Sequence, residues 1–320
     1  MHAASMILLC WAMIGAACFF SPAGAMATAI ALATLVAVVG LPHGAADHRF
    51  ARPRLEPLLG ETWLPVFLAG YVAIAGLVVW GWFAAPAFTI VAFFAASAWH
   101  FGQEDPQLSI GPRPLRPLFR FARGGLVIWA SLAFHGAEVV RILSVASPRG
   151  FGPEVERAVA VLTPCGWALL AVATAGWLLE GLTALAASGR KRRVLLADTA
   201  VVASLAVLFA VTSPLVGFLV YFCGWHSARG LKRLRVELGE TWLQLARSLA
   251  PMTIGAIALI AVVAVAVLRG PTWNDTLIRA TFVGLSSVAA PHLLLHGIAG
   301  VIGDWSGRGV TRTVQAGSPA

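Results

Sequence analysis

"ATAIALATLVAVVGLPHGAADHRFARPR", residues 27–54, decides what kind of chain this is. Together with the residues just before it, the opening part makes an uncharged apolar run over roughly 23–41. That length is close to the ~20 residues a helix needs to cross the hydrocarbon core of a bilayer. The run then gives way within a few positions to Pro42, His43, Asp47 and His48, and to the arginines Arg49, Arg52 and Arg54. An apolar rod ending in a basic loop reads as a membrane helix arriving at its cytoplasmic end.

The same pattern recurs along the chain. Apolar runs fall at roughly 6–20, 23–41, 63–82, 86–101, 124–146, 158–186, 194–212, 214–226, 248–268 and 277–303. The composition agrees, with 59% hydrophobic and 12% charged residues, about half the charged fraction of a soluble domain. The expectation is an all-α fold, a polytopic transmembrane helical bundle of about ten spans (eight to ten). No polar segment is long enough to fold separately, so 1–320 reads as a single integral-membrane domain. The first run is short enough for a signal-peptide core, but no Lys or Arg precedes it, so a retained helix is expected. Pro214 marks a bend before the short eighth run.

The net charge of +9 is placed in short loops rather than on a nucleic-acid-binding face. Of the 23 Lys and Arg residues, 18 follow the even-numbered runs and 5 the odd-numbered ones. That bias puts the basic side and both termini in the cytoplasm, with the chain in the inner membrane and no nucleic-acid partner. The four cysteines, Cys10, Cys18, Cys165 and Cys223, all lie inside apolar runs and form no C-x-x-C pair. They read as packing residues.

On this topology His43, His100 and His226 each end a different run on the basic side, while His292 and His296 lie on the tenth run as it descends toward the same side. Ionisable groups at membrane depth are costly and face a bundle interior or a pathway. One such histidine is ordinarily an interfacial residue bonded to a carbonyl. Several from separate helices at one depth read as a shared metal site, since imidazole suits iron, zinc and copper. Pro42 is expected to break its helix and leave His43 on the broken end. Pro291 is expected to free a carbonyl near Ser287. His292 and His296, four apart, share one helix face. Asp47, Glu104 and Asp105 read either as acceptors that orient imidazoles or as ordinary loop charge. His135, Glu138 and Arg141 share a face of the fifth run, which a polar stripe explains as well as catalysis does, and His48 reads as a ligand or as a residue past the membrane boundary.

The stretches "GLPHGAADH" (40–48), "AWHFGQED" (98–105), "RGG" (123–125), "YFCGWHSARG" (221–230) and "APHLLLH" (290–296) resemble the Brp/Blh family of β-carotene 15,15′-dioxygenases, over about residues 25–303. The resemblance implies an iron(II) enzyme, with Fe(2+) as cofactor, that adds O2 across the central double bond of β-carotene taken from the lipid bilayer. The product would be two molecules of all-trans-retinal. It carries iron-ligand positions onto His43, His100 and His226. The family's fourth ligand follows the third by four residues, in an H-S-x-x-H pattern, and here that position is Gly230. His292 is the replacement expected for it, with His296 as the alternative; no catalytic residue beyond the ligands is implied.

Two other readings stand beside this one. A desaturase-like di-iron enzyme acting on another apolar substrate needs denser histidine boxes than seven singly spaced histidines provide. A non-enzymatic carotenoid- or retinal-binding accessory, or a transporter, would fit a ligand lost at Gly230. For an oxygenase, an apolar cleft lined by phenylalanine and tryptophan is expected.

Overall fold

The computed structural model describes residues 3–19, 25–104, 113–148, 150–266 and 271–302. Every regular element among them is helical. In hydrocarbon each backbone N–H and C=O must be satisfied within the segment, and a helix does this whatever its side chains.

Helix α1 spans Ala3–Phe19 and α2 spans Ala25–Leu35. A π-helical segment, Val36–Gly40, follows, and the chain continues as α3 (Leu41–Ala45) and α4 (Asp47–Leu59). Next come α5 (Trp63–Ala84), α6 (Pro86–Glu104), α7 (Arg116–Gly124) and α8 (Leu126–Ala146). The long α9 (Gly152–Ala186) and α10 (Gly189–Val211) lead to α11 (Pro214–Leu219). A second π segment, Val220–Ser227, runs into α12 (Ala228–Glu237), followed by α13 (Trp242–Ala266) and α14 (Trp273–Ile302).

The described parts of all ten expected apolar runs are predominantly helical. Among the described residues, six helical stretches are long and apolar enough to cross a membrane, and the first of them, Ala27–Ala84, carries two of the expected runs. The fold is an all-α membrane bundle.

The structure corrects the expectation at Pro42. The chain does not leave the helix there; Gly40 and Leu41 keep right-handed helical dihedrals. The wide π turn ends just before a new α-helical segment, and Pro42 occupies its first turn, where the missing N–H is not needed. The basic stretches also depart from simple loops. Residues 47–59, 116–124 and 228–237 are short helices, and within α4 Arg52 and Glu56 pair one turn apart. Glycines with positive φ, Gly60 and Gly239, end α4 and α12, a conformation costly for any other residue.

Two large apolar clusters and a small one hold the described bundle together. The first includes α1, α2, α8, α10, the second π segment and α14; the second joins α5, α6, α8, α9 and α14; the third gathers Ala46, Leu234, Leu245 and Leu249. Helices α8 and α14 contribute to both large clusters and are the most enclosed spans. Arg279 of α14 lies inside this frame and donates to the carbonyls of Val145 (2.6 Å) and Ser147 (3.3 Å) at the end of α8. Cys10 and Cys223 pack within the first cluster as free thiols, and Cys165 is exposed. The side chain of Cys18 lies outside the described residues.

Helices α6 and α7 approach each other closely. A Cβ added at Gly124 would overlap the carbonyl oxygen of Ala98 and the backbone of Gly102. One added at Gly102 would overlap the carbonyl of Arg120. Backbone therefore lies directly on backbone around His100, which fixes the height of that histidine in the bundle.

Candidate metal centre

The fold brings together histidines far apart in sequence. His43 comes from α3, His100 from α6, His226 from the second π segment, and His292 and His296 from α14. Ring centroids are 5.0 Å apart for His43 and His226, 5.2 Å for His100 and His226, 5.2 Å for His43 and His292, and 4.8 Å for His100 and His292. Nitrogens of His43, His100 and His292 all lie within 4.8 Å of one another. The His226 ring is edge-on to Phe101 at 4.7 Å and stacked near Phe222 at 6.1 Å, so apolar surfaces hold its plane.

Both π segments serve this cluster, and they contact each other. His226 lies within one, and His43 lies one turn beyond the other. Such wide turns recur at functional sites because they shift the helical register locally. At Gly40 an added Cβ would come 2.6 Å from the Phe222 ring, so the first segment packs tightly on the second.

Gly230 has a definite place in this arrangement. It is buried in the first turn of α12, and a Cβ there would overlap the His43 ring at Cε1 and Nδ1. The imidazole of His43 fills the space that any side chain at 230 would need. The departure from the H-S-x-x-H pattern is thus coupled to the position of His43.

Asp47 supports the opposite side. Its carboxylate is buried and accepts from His292 Nδ1, at 2.8 Å from Oδ1 and 3.0 Å from Oδ2, while His296 Nε2 is 3.3 Å from Oδ1. His292 Nε2 then faces inward, 3.3 Å from His100 Nε2. A carboxylate on one ring nitrogen with the other turned to a shared centre is the usual arrangement of a metal-ligating histidine.

Tyr71, which the sequence reading missed, ties this side to α5. Its hydroxyl donates to the carbonyl of Val288 at 2.9 Å and lies 3.4 Å from Asp47 Oδ2. Val288 is three residues before Pro291, beside the carbonyl that the proline strands. The available signal was that the chain has only two tyrosines, both in uncharged spans.

Two nitrogens of the cluster, Nε2 of His43 and Nδ1 of His100, are buried without a hydrogen-bond partner. An unsatisfied buried polar group costs about 1–3 kcal/mol. A metal ion held by imidazole lone pairs offsets that cost, and a neutral histidine set suits a divalent transition metal. The residues present fit such an ion. Asp47, His292 and His296 form a second close-spaced group, sharing His292 with the first.

The cluster opens onto a cavity of about 500 Å³. Its walls are overwhelmingly apolar and include Phe67, Phe93, Phe94, Phe218, Phe222 and Phe282. The expected phenylalanines are present; among the described residues no tryptophan lines this cavity, contrary to the expectation. The indoles serve packing or the outer surface, as with buried Trp82, which bonds Ser286, and exposed Trp80.

Other expected residues fall elsewhere. His48 borders the cavity, but its Nδ1 bonds the carbonyl of Ala45 at 2.7 Å. His135 sits at a kink in α8 with its Nε2 3.0 Å from the carbonyl of Phe209, outside the cavity lining. Glu138 pairs with Arg141 on the same helix at 3.6 Å. Asp105 and the side chain of Glu104 lie outside the described residues.

A sequence profile of the beta-carotene 15,15′-dioxygenase family matches residues 34–298, a stretch that contains every histidine of the cluster. The chain belongs to this family. A protein of Halobacterium salinarum named probable beta-carotene 15,15′-dioxygenase Blh is 32% identical over 284 residues, covering 80% of this chain and 79% of the relative. A beta-carotene 15,15′-dioxygenase from an uncultured marine bacterium is 26% identical over 271 residues, covering 82% of this chain and 90% of the relative. No solved structure matches the chain. The family stretch begins inside α2 and ends within α14, so among the described helices α1 alone lies wholly outside it.

Proposed function

We propose that this member of the β-carotene 15,15′-dioxygenase family is an iron(II)-dependent oxygenase that cleaves β-carotene at its central double bond. In this reaction the C15–C15′ double bond breaks and each carbon takes one atom of O2. The products are two molecules of all-trans-retinal, and no external reductant is consumed. The observation that carries the reading is the convergence of His43, His100, His226 and His292 at the base of an apolar cavity, with Asp47 fixing the orientation of His292.

In this reading His43, His100, His226 and His292 hold the iron. His292 takes the role that Gly230 does not fill, and His296 is held to Asp47 one turn away. Bound iron would supply the means of bringing O2 into reaction with the polyene. The protein's part is placement. Phe101 and Phe222 fix the plane of His226, Gly230 makes room for His43, and Asp47 holds the Nδ1 proton of His292 so that Nε2 stays available. The phenylalanine-rich wall binds the apolar chain and keeps water from the reacting bond.

The test is expression in a bacterial host that accumulates β-carotene, with retinal measured by chromatography and iron by elemental analysis of purified protein. Wild type should yield retinal and bind iron; His100→Ala and His292→Ala should lose both. Iron-free wild type that retains carotene without cleaving it would instead make the protein a binding accessory or transporter. In this reading the chain lies in the inner membrane with its basic side and both termini facing the cytoplasm, as the loop charge supports. Cysteines introduced beside Arg113 and at Pro214 should then label from opposite sides.

A further inference from the structure

We propose that the cavity is filled sideways from the hydrocarbon of the membrane, through a mouth between α5 and α13 rimmed by Leu68, Val72, Pro251 and Gly255. The occupant is a long apolar polyene already dissolved in the bilayer, an identity that rests on the function proposed above.

Most residues lining the cavity are buried or half-buried, but these four are both lining and exposed. Leu68 and Val72 lie one turn apart on one face of α5, and Pro251 and Gly255 one turn apart on one face of α13. The two helices pack on α14 from separate places and do not pack closely on each other. Among the described residues the space between them therefore has a floor and two walls but no closing helix. On α13 the wall lacks bulk: Pro251 has only its ring, and a Cβ added at Gly255 would meet nothing within 4 Å.

The position of the gap selects what can use it. Helix α5 carries no charge, and the only charge on α13 is Arg247, one turn before Pro251. At 1.5 Å per residue, Leu68 and Val72 lie roughly 8–14 Å along α5 from its start at Trp63. An opening at that depth in an uncharged span faces acyl chains rather than water. From this rim the cavity is continuous with Tyr71 and His292. Along α14 the lining runs from His292 to Phe282, roughly 15 Å at the same rise. The histidines thus lie at one end of the chamber, and an extended chain must leave part of its length in the gap. A lipid acyl chain is the competing occupant.

The experiment uses the full chain in liposomes containing β-carotene. Gly255→Trp puts an indole at the mouth, where an added Cβ meets no atom within 4 Å, and Ile257→Trp, on the exposed face of the same helix outside the cavity lining, is its control. The first should lower kcat/KM by about tenfold with kcat at saturation nearly unchanged, while the control retains wild-type values. Iron content should stay the same in both. A second arm needs no turnover: a benzophenone side chain at position 255 or 257 is irradiated in iron-stripped protein, and adducts are read by mass. A β-carotene adduct at 255 but not at 257 supports the mouth. Lipid adducts alone at both positions, or equal kinetics in both tryptophan variants, overturn it. Failure of the proposed function looks different: the adduct at 255 forms, but wild type makes no retinal.

Discussion

Asp47 and His292 are 245 positions apart in the chain, and their side chains meet at 2.8 Å in the interior of the bundle. That one bond joins the start of α4 to the middle of α14 and settles which nitrogen of His292 faces the other rings. Removing the carboxylate should loosen the metal more than it loosens the fold. For Asp47→Ala the expected loss in iron affinity is about 10–100-fold, the range typical for such supporting groups. Asp47→Asn should lose less, because an amide oxygen still accepts from Nδ1–H. Competition with a calibrated chelator measures both, and equal affinity in wild type and Asp47→Ala would refute the assignment.

The contact between Gly230 and His43 gives a sharper expectation. Gly230→Ala adds one methyl group where the imidazole lies, and forced overpacking of this kind costs about 1–3 kcal/mol. Iron stoichiometry should fall with it, because His43 must move. Gly230→His, which restores the H-S-x-x-H spacing, should not rescue a His292→Ala protein. Rescue of iron binding in that double variant would show that His43 can make way for a ligand at 230.

Where α6 and α7 touch, Gly124→Ala should lower the melting temperature and displace His100, since backbone atoms of Ala98 and Gly102 cannot turn aside as a flexible side chain can. Gly76→Ala in α5 is the matched comparison, as its Cβ would enter open space. There the change should be neutral or stabilising by up to about 1 kcal/mol through helix propensity. Thermal unfolding in detergent, followed by iron analysis, reads both effects.

Tyr71→Phe should keep the cavity's shape while removing the bond to Val288. A single hydrogen bond of this kind contributes about 0.5–1.5 kcal/mol, so a modest fall in stability is expected. Its effect on iron affinity should be smaller than that of Asp47→Ala, because Tyr71 acts on the cluster only through Asp47 and α14. A Tyr71→Phe protein losing iron as completely as His100→Ala would mean a more direct role for the hydroxyl.

The histidine cluster was legible because two independent patterns in the sequence agreed. Hydropathy set where the helices run, loop charge set which ends point the same way, and His43, His100, His226 and His292 then fell at one depth. What could not be read was whatever depends on backbone register or on a single contact. Pro42 signalled an interruption, but nothing in "VAVVG" distinguishes a π turn from a broken end, since both relieve the same missing N–H. Gly230 looked like a lost ligand because its neighbour in space, His43, lies far away in the chain. Tyr71 was hidden for a similar reason: its partners Asp47 and Val288 belong to other helices. The missing tryptophans in the cavity wall show the limit of composition, which supplies aromatic residues without saying where they stand.

The two π segments have a consequence for how this site can change. Each residue turns an α-helix by about 100°, so the way a side chain faces depends on the number of residues before it as much as on its identity. His43 and His226 both reach the centre through a stretch wound more loosely than the helices on either side. A substitution within 36–40 or 220–227 can leave that count intact. A substitution that tightens the winding at that same count would swing an imidazole away from the centre with every histidine still present in the sequence, whereas loss of one residue together with tightening would leave its facing nearly unchanged. The centre is kept by arithmetic along the chain as well as by chemistry within it.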